Sequence, residues 1–452
     1  MRKRETDSRE ILRMLITLSI PTVLEEILRT LLQYVDTAMV GRLGEQATAA
    51  VSVTTTITWL INSISGAAGV AVLAMISRAV GSGDDRQIKE ISKQALLLTV
   101  VFGVATGAVS ICLSPYIPVW MGAEEAIWKP ASVYFTIVSI PMVFRSAGII
   151  LASAVRGTKD TKTPMYINIG SNLLNAALNY LLIYTAGLGV TGAAVASAVS
   201  YTVSGTLMFL AYRKNEKLRW EWNSFRADRF ILKECAGIGV PVLGTNMASC
   251  MGYVVFAGLV SGMGTTIFAA HSIAVTAETI FYIPGYGLRT ATSALVGISL
   301  GENNTEKLRT VSRLSILLTV GMMFFSGLVL YFVSYPLMCL FTPVEEVAAL
   351  GAAMLRLVAF SGPFFGLMIV FEGIYYGMGR TRYAFLAETG SMWGIRILFT
   401  FFCVTVWKLD LRAVWYCMIA DNVCKALLFT LPAKKYIFGR TDGGGLSYKA
   451  NG

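Results

Sequence analysis

The sequence contains little of the chemistry that enzymes and metal proteins use. Among 452 residues there is one histidine, His271, so haem, a multi-histidine metal site or a Ser-His-Asp triad is not expected. The seven cysteines are an odd number without ligand-like spacing, and they predict neither a disulfide framework nor a zinc site. No G-x-x-x-x-G-K-[ST] segment occurs, so the chain shows no ATPase motif.

Charged residues are also scarce. They make up 14% of the chain, against about a quarter in soluble proteins, while 55% of the residues are hydrophobic and the mean hydropathy is +0.62. We therefore expect an all-α polytopic membrane protein. The net charge of +11 is spread over short clusters between apolar runs, so we expect no nucleic acid partner. The polar stretch 1–10 and the charged run after it do not read as a signal peptide.

Apolar runs long enough to cross a bilayer recur along the whole chain. A membrane helix needs about 20 residues, and breaks at charged and Gly/Pro clusters define twelve runs. They cover residues 14–40, 48–79, 92–114, 131–155, 164–186, 190–212, 235–262, 268–299, 311–334, 347–375, 383–406 and 410–433. Pro21, Pro141, Pro241 and Pro363 are the candidate kink sites, because proline interrupts helical hydrogen bonding.

Lysine and arginine cluster near the N-terminus and in every second connection. The basic segments after the N-terminus are 78–93, 156–162, 213–233, 307–313, 380–382 and 434–449. By the positive-inside rule, this alternation predicts a multi-pass protein of the cell (cytoplasmic) membrane with both termini on the cytoplasmic side.

The second half of the chain repeats the first at one constant offset in the numbering, the offset from Pro21 to Pro241. The other matched positions are Gly44 and Gly264, Ala49 and Ala269, Gly81 and Gly301, Glu125 and Glu345, Gly157 and Gly377, and Thr161 and Thr381. This internal repeat predicts two pseudo-symmetric six-helix bundles, residues 1–219 and 220–452. Their pseudo-two-fold axis would run along the membrane normal, with a site near mid-membrane between the halves or within one of them.

A polar stripe marks the first apolar run. Glu26, Arg29, Gln33 and Asp36 follow helical spacing on one face. A charged side chain at mid-membrane costs about 2.5 to 3.5 kcal/mol on insertion scales, so this face should meet protein or a watery cavity. We expect Asp36 to bind a small cation; a buried salt bridge between Asp36 and Arg29 is the alternative.

A second polar stripe lies on the fifth run. Asn168, Asn172, Asn175 and Asn179 share one face of an otherwise apolar helix. Carboxamide and carboxylate oxygens are ligands that a hard cation accepts. The alternative is that these asparagines form hydrogen bonds that hold helices together.

The second half lacks this pairing. The repeat positions of Asp36 and Asn179 are Phe256 and Phe399, so the two halves are not functionally equivalent. The second half instead carries Glu278 on a stripe with Tyr282 and Arg289, where a structural Glu278–Arg289 pair and a role facing the cargo are both open. Further charges inside apolar runs are Glu372, Glu388 with Arg396, and Asp421 with Lys425. The last two are four residues apart, and we expect them to form a local salt bridge.

Three segments of the chain resemble a known family. They are VDTAMVGRLG at 35–44, NLLNAALNYLLIY at 172–184 followed by GAA at 192–194, and ETIFYIPGYG at 278–287. They are similar to the multidrug and toxic compound extrusion (MATE) family, and the similarity extends over essentially the whole chain. The resemblance implies a cation site made of Asp36, Asn175, Asn179 and Ser197.

The sequence departs from that family at two of its acidic positions. Some members have a second aspartate where this chain has Asn179, and others have a glutamate where it has Ser249. These differences leave Na+ and H+ open as the coupling ion, and they place more of the site's chemistry on Asp36.

The resemblance implies a secondary active exporter of amphipathic organic cations, driven by antiport with Na+ or H+. We expect a monomer that is no enzyme, needs no cofactor beyond its coupling ion and binds metal only as possible Na+ at Asp36. The candidate cargo-binding residues are Gln33, Glu278, Tyr282 and Arg289. The alternatives are a flippase for lipid-linked precursors, which intramembrane arginines would suit, and a membrane-embedded enzyme or scaffold.

Overall fold

A computed structural model describes residues 8–221 and 225–433, and the polypeptide there is built from helices. The helices of the first half are α1 (Ser8–Gly41), α2 (Glu45–Ser82), α3 (Asp85–Leu113), α4 (Ile117–Trp120), α5 (Glu125–Ser139), α6 (Met142–Gly157), α7 (Lys162–Asn179) and α8 (Gly189–Lys214). A π-helical segment, Tyr180–Thr185, continues α7.

The second half repeats this order. Its helices are α9 (Arg229–Ser261), α10 (Thr265–Gly301), α11 (Thr305–Phe341), α12 (Glu345–Ala359), α13 (Gly362–Gly377), α14 (Thr381–Ser391), α15 (Leu398–Phe401) and α16 (Leu411–Ala433), with π-helical segments Met392–Ile397 and Phe402–Val406. The starts of α2, α3, α5 and α6 precede those of α10, α11, α12 and α13 by the same offset that separates Pro21 from Pro241. The repeat in the sequence is therefore also a repeat in the structure, while the division at residue 219 stays a prediction.

The helices account for the twelve expected membrane crossings. Among the described residues, eight helical segments are long and apolar enough to cross a bilayer, and two bent pairs each supply one more. The two remaining crossings are α1 and Lys162–Thr185. They carry the two polar stripes, and their polar residues need protein partners.

Two of the four proline sites lie at sharp bends. The α5–α6 pair bends by 52° beside Pro141, and the α12–α13 pair bends by 59° beside Pro363. Pro21 and Pro241 instead lie inside the continuous helices α1 and α9. The basic residues expected at the two termini, such as Arg2 and Lys434, lie outside the described residues.

Helix α1 connects the two halves. On one side it packs on α7 of its own half, and on the other it packs on α10. The Thr22 hydroxyl donates a hydrogen bond to the carbonyl oxygen of Gly287 at 2.9 Å, and the Tyr34 hydroxyl donates to the carbonyl oxygen of Thr276 at 3.3 Å. Gly287 has no room for a side chain there, since a Cβ atom would lie 2.7 Å from the Cα atom of Val23.

The C-terminal ends of α2 and α10 cross in backbone contact. A Cβ atom on Gly81 would lie 2.0 Å from the carbonyl oxygen of Ile298, and one on Gly301 would lie 1.9 Å from that of Arg78. Gly81 and Gly301 are matched positions of the internal repeat. The Arg78 guanidinium also forms a salt bridge of 3.0 Å with Glu234 of α9, so the halves are closed against each other at this end.

Candidate functional site

The four expected cation ligands lie in one hydrogen-bonded chain. The Asn179 amide donates hydrogen bonds to the Asp36 carboxylate and, at 3.3 Å, to the Asn175 carbonyl oxygen. The Asn175 amide in turn donates to the Ser197 hydroxyl at 3.4 Å. The chain joins α1, α7 and α8, and we call these four side chains the Asp36 site.

Local backbone geometry brings these helices close together. Helix α7 ends at Asn179 and continues as a π-helical segment, a wide turn that is frequent at functional sites. Small residues on α8 allow close approach: Ala193, Ala194 and Ala196 are buried, and a Cβ atom on Gly192 would lie 2.8 Å from the Leu182 carbonyl oxygen. Ser197 follows these residues on α8 and so reaches the asparagines.

The Asp36 carboxylate has no salt bridge within the part of the chain that the structure describes. Arg29, its proposed partner, is 59% exposed and pairs with Glu26 at 2.5 Å, so the Asp36–Arg29 alternative is wrong. Arg145 lies over the Tyr201 ring, with 4.3 Å from its guanidinium carbon to the ring centre. The Asp36 carboxylate is thus half-buried and is held by the Asn179 amide.

The site also offers an oxygen without a partner. The Asn179 side chain is fully buried, and its carbonyl oxygen accepts no hydrogen bond. Buried polar atoms are nearly always paired, so such an oxygen is a natural ligand position. Together with the Asp36 carboxylate and the Ser197 hydroxyl, it gives the all-oxygen donor set that hard cations prefer. The residues present therefore fit a small monovalent cation.

The asparagine stripe divides between two partners. Asn175 and Asn179 belong to the Asp36 site, whereas the Asn168 amide donates to the Glu25 carboxylate at 2.6 Å. Glu25 also accepts a hydrogen bond from Arg156 at 2.6 Å. The sequence signal for Glu25 was available, because the spacing from Glu25 to Asp36 equals the spacing from Asn168 to Asn179.

The matching position in the second half is apolar. Phe256 stands where the first half has Asp36, and it is buried. Its ring contacts the His271 ring with centroids 5.4 Å apart, and His271 contacts Trp415 at 5.8 Å. His271 thus packs between two aromatic rings, and the structural counterpart of the Asp36 site has Phe256 where the first half has a carboxylate.

The four candidate cargo residues do not form one cluster. Gln33 is exposed on α1, whereas the other three lie on α10. Tyr282 donates a hydrogen bond to the Glu278 carboxylate, and its ring stacks on Phe365 with centroids 3.9 Å apart.

Arg289 is engaged elsewhere. It forms a salt bridge of 2.7 Å with the buried Glu372 of α13, so the alternative of a structural Glu278–Arg289 pair is wrong. The two partners come from different helices, which helical spacing along α10 does not reveal.

A second buried charge cluster lies between α14 and α16. Asp421 is fully buried and forms salt bridges of 2.9 Å with both Lys425 and Arg396. It also accepts a hydrogen bond from Ser391 at 2.6 Å. The Asp421–Lys425 bridge is confirmed, and Arg396 joins it by pairing with Asp421.

Comparison with known proteins agrees with this fold. The MatE family model matches residues 21–181 and 241–402, which is one match in each half of the chain. A crystal structure of MATE in complex with MaL6 superposes with a TM-score of 0.90 at 21% identity, covering 96% of this chain and 99% of that one.

Relatives of known name align along nearly the whole chain. The probable multidrug resistance protein NorM of Thermotoga maritima is 26% identical over 439 residues, covering 94% of this chain and 93% of that protein. The multidrug resistance protein PmpM of Pseudomonas aeruginosa is 25% identical over 398 residues, covering 85% and 82%. With the family model matched over both halves, a MATE fold and two halves related by the internal repeat, this chain belongs to the MATE family of transporters.

Proposed function

We propose that this MATE transporter exports amphipathic, cationic compounds in exchange for inward Na+ or H+ bound at the Asp36 site. As a member of a transporter family, the protein is not an enzyme. One observation carries the proposal: the Asp36 carboxylate is held by the Asn179 amide on one side and has no basic partner among the described residues. A carboxylate in that setting favours a mobile cation as its counter-charge.

The position of α1 explains how the ion would act on the whole molecule. Helix α1 holds Asp36 against α7 and also contacts α10 of the other half. Neutralising Asp36 would change the free energy of exposing this face of α1 to a cavity. It would therefore shift the equilibrium between two arrangements of the halves. A ligand shifts such an equilibrium only by its differential affinity, so ion and cargo should weaken each other's binding. One inward charge supplies about 2.3 kcal/mol per 100 mV.

The cargo preference rests on the chemistry around Glu278. Its carboxylate has Tyr282 as hydrogen-bond donor, and the Tyr282 ring stacks on Phe365. An acid beside stacked aromatic rings suits organic cations, which are attracted by both. The relatives named as multidrug resistance proteins support this choice.

Most of the intramembrane arginines do not favour the flippase alternative. Arg29, Arg289 and Arg396 each form a salt bridge with an acid, and a phosphate group would have to displace that carboxylate. Arg145 lies over the Tyr201 ring, and Arg356 donates to the Ser334 hydroxyl. We further propose that the protein acts as a monomer in the cell membrane with both termini in the cytoplasm, as the distribution of basic residues predicts.

The test is efflux of a fluorescent organic cation from proteoliposomes, with Na+ and pH gradients imposed separately. We expect one of the two gradients to drive export by the wild-type protein and Asp36→Asn to abolish that dependence. Glu26→Gln is the matched control, because Glu26 lies on the same helix but pairs with the exposed Arg29. Wild-type rates and unchanged ion dependence in Asp36→Asn would refute the proposal.

A further inference from the structure

We propose that Glu25, Asn168 and Ser204 form a second site for a small monovalent cation, and that the Arg156 guanidinium occupies it in the conformation described here. We call this the Glu25 site. The inference rests on the proposed function of Asp36 as an ion ligand. It adds a second stopping point for the ion on the same three helices.

The Glu25 site repeats the construction of the Asp36 site. In both, an acid on α1 accepts a hydrogen bond from an asparagine amide on α7, and in both the two residues are 143 positions apart. Helices α1 and α7 both run without a break from the Glu25 site to the Asp36 site. The spacing from Glu25 to Asp36 corresponds to about three helical turns, or about 16 Å along the helix axis, so the two acids share one face of α1.

Helix α8 completes both sites with a hydroxyl group. In the Asp36 site, the Ser197 hydroxyl accepts a hydrogen bond from the Asn175 amide. In the Glu25 site, the Ser204 hydroxyl donates to the side-chain carbonyl oxygen of Asn168 at 3.3 Å. Each site therefore combines a carboxylate from α1, a carboxamide from α7 and a hydroxyl from α8. These are the same oxygen ligand types in the same order of helices, which is why the same class of ion should bind at both.

The two sites differ in one group: the Arg156 guanidinium lies at the Glu25 site. Arg156, close to the end of α6, donates to one oxygen of Glu25 at 2.6 Å, and Asn168 donates to that same oxygen. The other Glu25 oxygen accepts no hydrogen bond, and it is buried in a residue that is only 7% exposed. An unpaired, buried carboxylate oxygen is the atom that a metal cation or a proton would use.

The hold of Arg156 on this site is limited. Its Nε atom is buried and forms no hydrogen bond, so the guanidinium does not make the two-pronged contact with Glu25 that strong Arg–carboxylate pairs make. Its side chain keeps 15% of its surface exposed. Arg156 can therefore act as an exchangeable counter-charge. It pairs with Glu25 while the ion is bound at Asp36, and it leaves Glu25 when the ion moves to the Glu25 site.

The test is the number of ions bound by the purified full-length protein, measured with ²²Na+ at saturation. We expect one ion for the wild-type protein, two for Arg156→Gln and one for Arg156→Lys, which keeps the tethered charge. Adding Glu25→Gln to Arg156→Gln should return the number to one by removing the ion at the Glu25 site. Adding Asp36→Asn instead should return it to one by removing the ion at the Asp36 site. If the ion is H+, the same differences appear as protons taken up on acidification without Na+.

Two results would overturn the inference: an unchanged ion number in folded Arg156→Gln, or a second ion that survives Glu25→Gln. Failure of the proposed function gives a different result, namely full ion binding by Asp36→Asn with Arg156 intact. If Arg156→Gln does not fold, the neutral pair Glu25→Gln/Arg156→Gln still decides the matter. It keeps the hydrogen-bonding groups, and we expect it to slow ion release from loaded proteoliposomes; a wild-type release rate would contradict the second site.

Discussion

Replacing Gly301 by alanine should force the halves apart where α2 and α10 cross. The new Cβ atom would lie 1.9 Å from the carbonyl oxygen of Arg78. Because carbon and oxygen approach to about 3.3 Å at the closest, the two backbones must separate by about 1.4 Å. Overpacking of this kind costs about 1 to 3 kcal/mol. Since only the closed arrangement carries this strain, the open arrangement should become about 5- to 150-fold more populated.

A native cysteine reports the opening. Cys235 is 6% exposed, packs in the cluster that α2 forms with α9, and follows Glu234, the salt-bridge partner of Arg78. We expect a membrane-permeant maleimide to label Cys235 faster in Gly301→Ala by the same factor of about 5 to 150, with mass spectrometry separating this peptide from the others. Cys112 and Cys339 are exposed and serve as internal references.

The matched control is Gly258→Ala on α9, where a Cβ atom would meet nothing within 4 Å. It should leave Cys235 labelling at the wild-type rate. If Cys235 is labelled at the same rate in folded Gly301→Ala and Gly258→Ala, opening does not require the α2–α10 crossing to separate. That result would refute the reasoning.

Two further substitutions test the buried polar groups. Asn179→Leu keeps the side-chain size but removes the unpaired carbonyl oxygen and the donor to Asp36. With Na+ as coupling ion, losing a ligand to a charged group costs about 1.5 to 3 kcal/mol, so the Na+ concentration for half-maximal efflux should rise about 10- to 150-fold. With H+ as coupling ion, the ionised carboxylate loses a donor and the H+ concentration for half-maximal efflux should fall instead. Asp421→Asn leaves Arg396 and Lys425 without their shared carboxylate, and we expect a loss of about 3 to 5 kcal/mol of stability, seen as a lower thermal unfolding temperature in detergent. Lys425→Met added to Asp421→Asn should recover part of that loss, and no recovery would contradict this account.

The architecture could be predicted because it depends on patterns along the chain. Apolar runs and the internal repeat located the helices, and two of the four candidate prolines, Pro141 and Pro363, lie at the two sharp bends. The π-helical segment after Asn179 was not predictable, since nothing in the local composition distinguishes a π turn from an α turn. It matters nonetheless, because it follows directly on the residue that holds Asp36.

Charge pairing was predicted less well because helical spacing shows only neighbours on one helix. Lys425 and Asp421 are one helical turn apart, and their bridge was found. Helical spacing offered Arg289 only Glu278 on its own helix as a partner, whereas its partner Glu372 comes from α13. The Asp36 site was identified by the family resemblance, because spacing along single helices does not show that Ser197 of α8 meets the asparagines of α7.

The contact between Thr22 and Gly287 has a consequence for how the protein is made. The two residues are 265 positions apart, so α1 leaves the ribosome long before its partner on α10 exists. At about 5 to 20 residues per second, the delay is about 13 to 53 s. During that time one side of a helix with a poor affinity for lipid has no protein to cover it. Truncated first halves should therefore be retained by insertion factors or degraded. The exposed side of α1 is covered by protein only when the second half has been synthesised.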